Sequence, residues 1–255
     1  DQGNGKAVIL LHGSGPGVSA WANWRLVIPA LVNNFRVVAP DMVGFGYTER
    51  PDNINYDMET WLRHILDFLD VLEIEEAHVV GNSFGGALSL ALAIHAPERV
   101  GRMVLMGSAG IDFVLTEGLN KTWGYTPSLE NMRELLDIFA FDRSLVADEL
   151  AELRYKASVR SGVQEAYEKM FPAPRQNGIA KLSSSEDAIA KITHETLIIH
   201  GREDQVIPPH CSERLFKLIA NSQLHMFGKC GHWSQIEYSH RFNQLVSNFL
   251  TEAGK

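Results

Sequence analysis

Residues 77–97 read AHVVGNSFGGALSLALAIHAP, and the way this stretch divides decides the fold. Residues 77–80 read as a short strand, whereas residues 84–96 are apolar on nearly every side and stop at Pro97, as a helix buried against a sheet does. Between them lies Gly81-Asn82-Ser83-Phe84-Gly85, a G-x-S-x-G at a strand-to-helix junction. Such a junction forces a tight turn that lifts the serine hydroxyl out of the sheet, and the two glycines relieve crowding that side chains would cause there. The turn also leaves the Phe84 N–H free to donate at the start of the helix, where the positive end of the dipole and the unsatisfied donors coincide. A turn of small residues without chemistry has the same composition, and G-x-S-x-G recurs by chance. Its placement between a strand and a buried helix favours a catalytic serine.

The same strand-then-helix logic extends in both directions. Upstream, AVILL (7–11) reads as a buried strand, HGSGPG (12–17) as a glycine-proline turn, residues 21–32 as a helix, and residues 37–39 as part of a second strand ending at Pro40-Asp41. Behind Asp57, a fair N-cap, Met58, Trp61, Leu62, Ile65, Leu69 and Leu72 recur at helical spacing and define one buried stripe. Residues 103–106 are a further strand. The pattern breaks over residues 110–191, which hold no convincing strand but several amphipathic stretches. Residues 129–139 are one; residues 145–159 are another, behind Ser144 as N-cap and with Glu152 and Lys156 at a favourable i, i+4 spacing. Strand and helix signals then resume at TLIIH (196–200), a helix near 209–220, a strand at 223–227 and a last helix at 239–250. The expected fold is α/β: a mainly parallel central sheet with helices on both faces. Its core takes residues 1–109 and 192–255, and residues 110–191 form an inserted helical lid over one edge.

At 255 residues with 45% apolar content, the chain is long enough for one large domain with such an insertion. Its 23 basic and 31 acidic residues give a net charge of −8, a field that repels phosphate backbones and anionic lipid. Neither nucleic-acid binding nor membrane attachment is therefore expected. Two cysteines, Cys211 and Cys230, are too few for a disulfide scaffold and lack the paired spacing of a zinc site, which fits a reducing, cytoplasmic setting with no metal. No apolar stretch approaches a membrane span, and no leader pattern opens the chain, which begins at Asp1 without a methionine.

A serine hydroxyl is a poor nucleophile at neutral pH, so it needs a positioned imidazole, which in turn needs an anion to fix its tautomer. On a strand–elbow–helix scaffold these follow the serine in the order acid, then histidine. Asp204 lies in GRED directly after the strand TLIIH, and His232 lies in GHW after the strand ending at Phe227; both occupy the C-terminal ends of strands, where such sheets gather their active residues. Ser83, Asp204 and His232 are thus the candidate triad. Glu203 should point elsewhere, and Asp41 precedes the serine. Cys230 has no elbow around it and reads as a small packing residue. The turn after the first strand supplies the backbone donor opposite Phe84, with Ser14 the first choice and Gly13 the second. A phosphate-cradling role for this turn lacks both the G-K-[ST] ending and the G-x-G-x-x-G spacing.

LLHGSGPG, APDMVGFGYTERP, GNSFGG, GREDQVIP and KCGHW, in this order, resemble the α/β-hydrolase superfamily, and more narrowly the meta-cleavage-product hydrolases of bacterial aromatic degradation. The similarity extends through the insertion, where WGYTPS, NMRELLDIFAFDRSLV and MFPAPRQ resemble the branch acting on 2-hydroxymuconic semialdehyde and its alkyl relatives. Members carry about two more N-terminal strands, so the numbering is expected to begin inside the fold. The resemblance implies cofactor-free hydrolysis of a carbon–carbon bond in a 2-hydroxy-6-oxo-hexa-2,4-dienoate, giving 2-hydroxypenta-2,4-dienoate and formate or a short carboxylic acid. It implies Arg154 near the substrate carboxylate, Asn23, Asn82, Phe139 and Trp233 in the pocket beside Gly13, and a homodimer or higher assembly. For Arg154 taken alone a solvated helix face is the plain alternative, and Phe139 and Trp233 alone are equally core aromatics. An ester hydrolase with the same triad, or a ligand receptor without turnover, remains an alternative on this fold. Whether Ser83 forms an acyl-enzyme or acts with His232 to activate water is left open.

Overall fold

Apolar side chains alternate between two faces along each inner strand, so the sheet they build is covered on both sides. The computed structural model describes residues 1–252. Six strands, β1 (Ala7–Leu11), β2 (Arg36–Val38), β3 (Ala77–Asn82), β4 (Val100–Met106), β5 (Thr196–Gly201) and β6 (Ser222–Phe227), pair in parallel in the order β2-β1-β3-β4-β5-β6. Ile9, Leu11, Val79, Met103, Leu105 and Ile198 point into one core layer; Val8, Leu10, Val80, Val104, Met106, Leu197 and Ile199 point into the other. Helices α1 (Ala20–Trp24) and α2 (Ile28–Leu31) lie between β1 and β2, α3 (Met58–Val71) precedes β3, and α4 (Phe84–His95) follows it. Ten of the twelve residues of α4 are buried, as its all-round apolar sequence requires. After β5 come α11 (Pro209–Leu218), then β6, α12 (Ser234–Glu237) and α13 (Ser239–Thr251).

The segment between β4 and β5 contains no strand and six helices: α5 (Glu117–Trp123), α6 (Leu129–Phe139), α7 (Asp148–Ser158), α8 (Val163–Met170), α9 (Gln176–Leu182) and α10 (Glu186–Ile189). Strand order locates the functional end of the molecule. From β1 the chain leaves toward β2 on one side, and from β3 it leaves toward β4 on the other. The C-terminal ends of β1 and β3 therefore part and leave a crevice, the usual ligand position in an open parallel sheet.

Several local expectations are corrected. The helix expected over 21–32 is two short helices, because Pro29 near the start of α2 has no N–H for a carbonyl one turn back. Ser144 does not cap the helix expected over 145–159: the Asp142 carboxylate accepts its N–H and hydroxyl, residues 143–145 form a 3-10 turn, and α7 starts at Asp148. The second strand covers 36–38 rather than 37–39. The strands expected at 77–80 and 103–106 extend to Asn82 and back to Val100, because parallel pairing continues past those segments, Gly81 against Leu105 and Asn82 against Met106. Asp57 caps α3 through the Thr60 N–H at 2.9 Å, and Glu152 pairs with Lys156 at 3.5 Å.

Candidate active site

Ser83 turns the chain from β3 into α4 with its backbone at φ 54°, ψ −111°. That conformation costs a residue with a side chain about 1–3 kcal/mol. It persists because the Ser83 N–H donates to the Met106 carbonyl at 2.9 Å while the Ser83 carbonyl accepts the N–H groups of Gly86, Ala87 and Ala109. A Cβ at Gly85 would overlap the Leu11 and His12 carbonyl oxygens, and one at Gly81 would overlap Ser89 Oγ and the Gly85 carbonyl. Both flanking positions of the G-x-S-x-G are therefore restricted to glycine.

At the end of β5, Asp204 is held on both oxygens. Its Oδ1 accepts the N–H groups of Val206 (2.7 Å) and Ile207 (3.0 Å), and its Oδ2 lies 2.7 Å from His232 Nδ1. Burial by itself would raise this carboxyl, but the His232 charge and the N–H groups of His200 and His232 outweigh it and hold Asp204 below the usual carboxylate range. An ionised Asp204 requires the His232 proton on Nδ1, leaving Nε2 as the basic nitrogen. The ring is carried by a tight connection: His232 N–H donates to the Phe139 carbonyl (2.8 Å) and Gly231 N–H to Glu237 Oε1 (2.7 Å). Ser83 and His232 border the same cavity without a direct hydrogen bond between them among the described residues. Such contacts commonly tighten only when substrate is bound. Glu203 turns away to Arg202 and the Cys230 N–H, and Asp41 accepts the N–H groups of Ala20 and Tyr47. Burial pushes the Cys230 thiol up to about 12, so it stays neutral.

The turn after β1 faces this pair. His12 Nε2 accepts the Met42 N–H (2.9 Å), which places its proton on Nδ1 to donate to the Gly13 carbonyl (2.7 Å). Burial pushes His12 below its ordinary value, so this neutral tautomer is maintained. The Gly13 N–H is taken by Asn23 Oδ1 at 3.0 Å, whereas the N–H groups of Ser14 and Phe84 meet no protein acceptor among the described residues. Between the two candidate donors in the turn, Ser14 is thus the free one. It is pinned from helices between β4 and β5, by Trp123 Nε1 on Ser14 Oγ (3.0 Å) and by the Tyr167 hydroxyl, 2.9 Å from the Ser14 carbonyl.

A cavity of about 420 Å³ lies over the serine. Gly13, Ser14, Asn23, Asn82, Ser83, Phe139, Arg154, His232 and Trp233 all border it; Asp204 stands behind His232, and the Phe84 side chain is buried against Phe45 and Trp61. Phe139 stacks on Trp233 with ring centroids 5.0 Å apart. Asn82 donates to the Met106 carbonyl at 3.3 Å. Arg154, on α7, is buried rather than on a solvated face. Its Nη2 donates to the Pro16 carbonyl (3.2 Å), its Nε has no partner, and no carboxylate pairs with it among the described residues. Burial pushes its guanidinium down to about 10, still well above neutrality. Two further arginines, Arg25 and Arg160, border the cavity, and among the described residues no aspartate or glutamate does. Sequence reasoning missed both, as it missed Trp123, Tyr167 and Gln235; only for Gln235, two places beyond Trp233, does sequence proximity offer a signal.

An elbow serine, a carboxylate-bound histidine and two free backbone donors around one cavity define a serine hydrolase site on a parallel α/β sheet. The family model for the alpha/beta hydrolase fold matches residues 6–238, and the chain belongs to that family. Within it, the chain is a meta-cleavage-product hydrolase. It is 60% identical to 2-hydroxymuconate semialdehyde hydrolase of Pseudomonas sp. (strain CF600), over 99% of this chain and 89% of that protein. It is also 60% identical to 2-hydroxy-6-oxo-2,4-heptadienoate hydrolase of Pseudomonas putida F1, over 98% of this chain and 91% of that one. The meta-cleavage product hydrolase of Pseudomonas fluorescens IP01, solved as a serine-to-alanine mutant with acetates, superposes with a TM-score of 0.98 at 62% identity, covering 99% of this chain and 93% of that one.

Proposed function

We propose that this chain hydrolyses the C5–C6 bond of 2-hydroxy-6-oxo-hexa-2,4-dienoates bearing hydrogen or a small alkyl group at C6, releasing 2-hydroxypenta-2,4-dienoate and formate or a short carboxylic acid. Carbon leaves poorly, so the dienol must first ketonise: a proton leaves the 2-hydroxyl and another is delivered to C5. His232, oriented by Asp204, moves these protons. Ser83 then attacks the C6 carbonyl, and the Ser14 and Phe84 N–H groups receive the developing oxyanion. Cleavage sends the C5–C6 electron pair into the dienol fragment, and water completes the acid. Asn23, Asn82, Gly13, Phe139 and Trp233 shape the pocket, and residues 110–191 act as its lid. Two unpaired, buried cysteines support a reducing, cytoplasmic setting. Among the described residues no helix is long and apolar enough to cross a membrane. An assembly of more than one copy belongs to the same reading and is supported by the family resemblance alone.

One observation carries the substrate class: the site holds a buried, carboxylate-free guanidinium. An unpaired buried charge is costly, and an anionic ligand offsets that cost. Arg154→Gln is expected to lower kcat/KM for the dienoate by about two to three orders of magnitude, while turnover of a neutral p-nitrophenyl ester changes little. Equal losses on both substrates contradict Arg154 as the carboxylate partner. Arg25 and Arg160 extend the positive potential of the cavity in a chain of net charge −8. Raising ionic strength is therefore expected to lower kcat/KM for the dienoate but not for the neutral ester. A flat salt profile for the dienoate removes this steering role.

A further inference from the structure

Asp204 has a second histidine against it. His200, the fifth residue of β5, is fully buried, and its Nε2 lies 3.0 Å from Asp204 Oδ2 and 3.0 Å from the Ile207 carbonyl. Both neighbours only accept, so Nε2 carries the ring proton. The N–H is aimed at the Ile207 carbonyl, with the carboxylate oxygen at the same distance off its axis. The opposite nitrogen, Nδ1, lies 2.6 Å from the hydroxyl of Ser212 on α11, which is also fully buried and donates to it. The same short loop returns the Val206 and Ile207 N–H groups to Asp204 Oδ1. Ser212, His200, Asp204 and His232 thus form one continuous buried chain of polar contacts ending at the cavity.

We propose that His200, held at Nδ1 by Ser212, is a positioning residue for the Asp204–His232 pair: it clamps the 204–207 loop and shares the carboxylate oxygen that orients His232. This rests on the triad reading given above. His200 does not border the cavity, so it acts on substrate only through Asp204. The N–H beside Oδ2 draws part of that oxygen's charge, and its removal leaves the carboxylate gripping protonated His232 more tightly. The titratable groups that act on Asp204 are His232 and His200. Asp204 in turn acts on the Cys211 thiol of α11 and the Cys230 thiol beyond β6, both pushed up to about 12 by burial and neutral across the working range. No arginine or lysine pairs with Asp204 among the described residues.

The test uses the full-length enzyme with three variants, and measures kcat, KM and the pH profile of kcat/KM on the dienoate. His200→Phe keeps an aromatic ring and removes both nitrogens. It is expected to lower kcat about ten- to a hundredfold, to leave KM within about twofold, and to move the acid limb of kcat/KM to higher pH. His200→Gln, whose amide nitrogen reaches the place of Nε2, is expected to restore most of the rate and the original limb. Ser212→Ala, which removes the hydroxyl that holds the ring at Nδ1, should move the limb in the same direction by less, and it decides the matter if His200→Phe does not fold. Wild-type kcat and limb in folded His200→Phe, an unmoved limb in Ser212→Ala, or equal damage from Phe and Gln would each overturn the proposal. Asp204→Asn separates it from the underlying reading: if that variant keeps full activity the triad itself fails, whereas its inactivity beside an undamaged His200→Phe sinks only the role of His200.

Discussion

Replacing Ser83 by alanine is expected to lower the rate of C–C cleavage by about four to six orders of magnitude while leaving the fold and the ketonisation phase in place. The fold should survive because the Ser83 side chain holds nothing: the elbow is tied by its backbone, through Met106 on one side and Gly86, Ala87 and Ala109 on the other. Alanine meets the same backbone strain at φ 54° as serine does. Ketonisation should survive because it needs a proton carrier, and His232 keeps its bond to Asp204. In a stopped-flow trace the loss of the dienolate chromophore is expected to proceed rapidly to the keto form and then stall. Product formation at more than about a hundredth of the normal rate would remove Ser83 from the nucleophile's role.

His232→Ala is expected to abolish both phases, because one imidazole moves the protons in each. General acid–base help is worth about 10²–10⁴ in a proton-transfer step, so ketonisation should slow by that factor, and hydrolysis should fall about as far as in Ser83→Ala, since nucleophile and base act as a unit. Rapid ketonisation retained in His232→Ala would mean that another group performs the first step. Among the described residues bordering the cavity, Asn23 Nδ2, Gln235 Oε1 and Arg154 Nε have no partner, but neither amide titrates and the guanidinium stays protonated. That leaves His232 as the cavity's proton carrier.

What was legible in the sequence was what is local. The elbow is a five-residue turn whose glycines are demanded by the Leu11 and His12 carbonyls and by Ser89, and it announces itself in GNSFG. Asp204 and His232 are legible as candidates because each lies in the loop after a strand, and strand ends converge in a parallel sheet. The helix expected over 21–32 breaks at Pro29, whose missing N–H overrides the apolar spacing. Ser144 failed because a neighbouring carboxylate, Asp142, took the bonds a cap would have used. His200 reads in TLIIH as one more residue of an apolar strand; only the fold brings Ser212 and Asp204 to its two nitrogens. Arg25 and Arg160 are likewise ordinary surface residues until helix α1 and the end of α7 bring them to one cavity. For Arg154, burial without a carboxylate partner is a tertiary fact that no spacing along α7 expresses.

This triad, with its buried arginine, is expected to cleave a carbon–carbon bond in an anionic dienoate. The most direct test supplies the wild-type enzyme with 2-hydroxymuconic semialdehyde and, separately, with p-nitrophenyl acetate, and compares kcat/KM while assaying products. The expected result is loss of the dienolate absorbance with one equivalent each of formate and 2-hydroxypenta-2,4-dienoate, at a kcat/KM orders of magnitude above that for the ester. An ester preference of the same size, or binding of the semialdehyde without products, would contradict it.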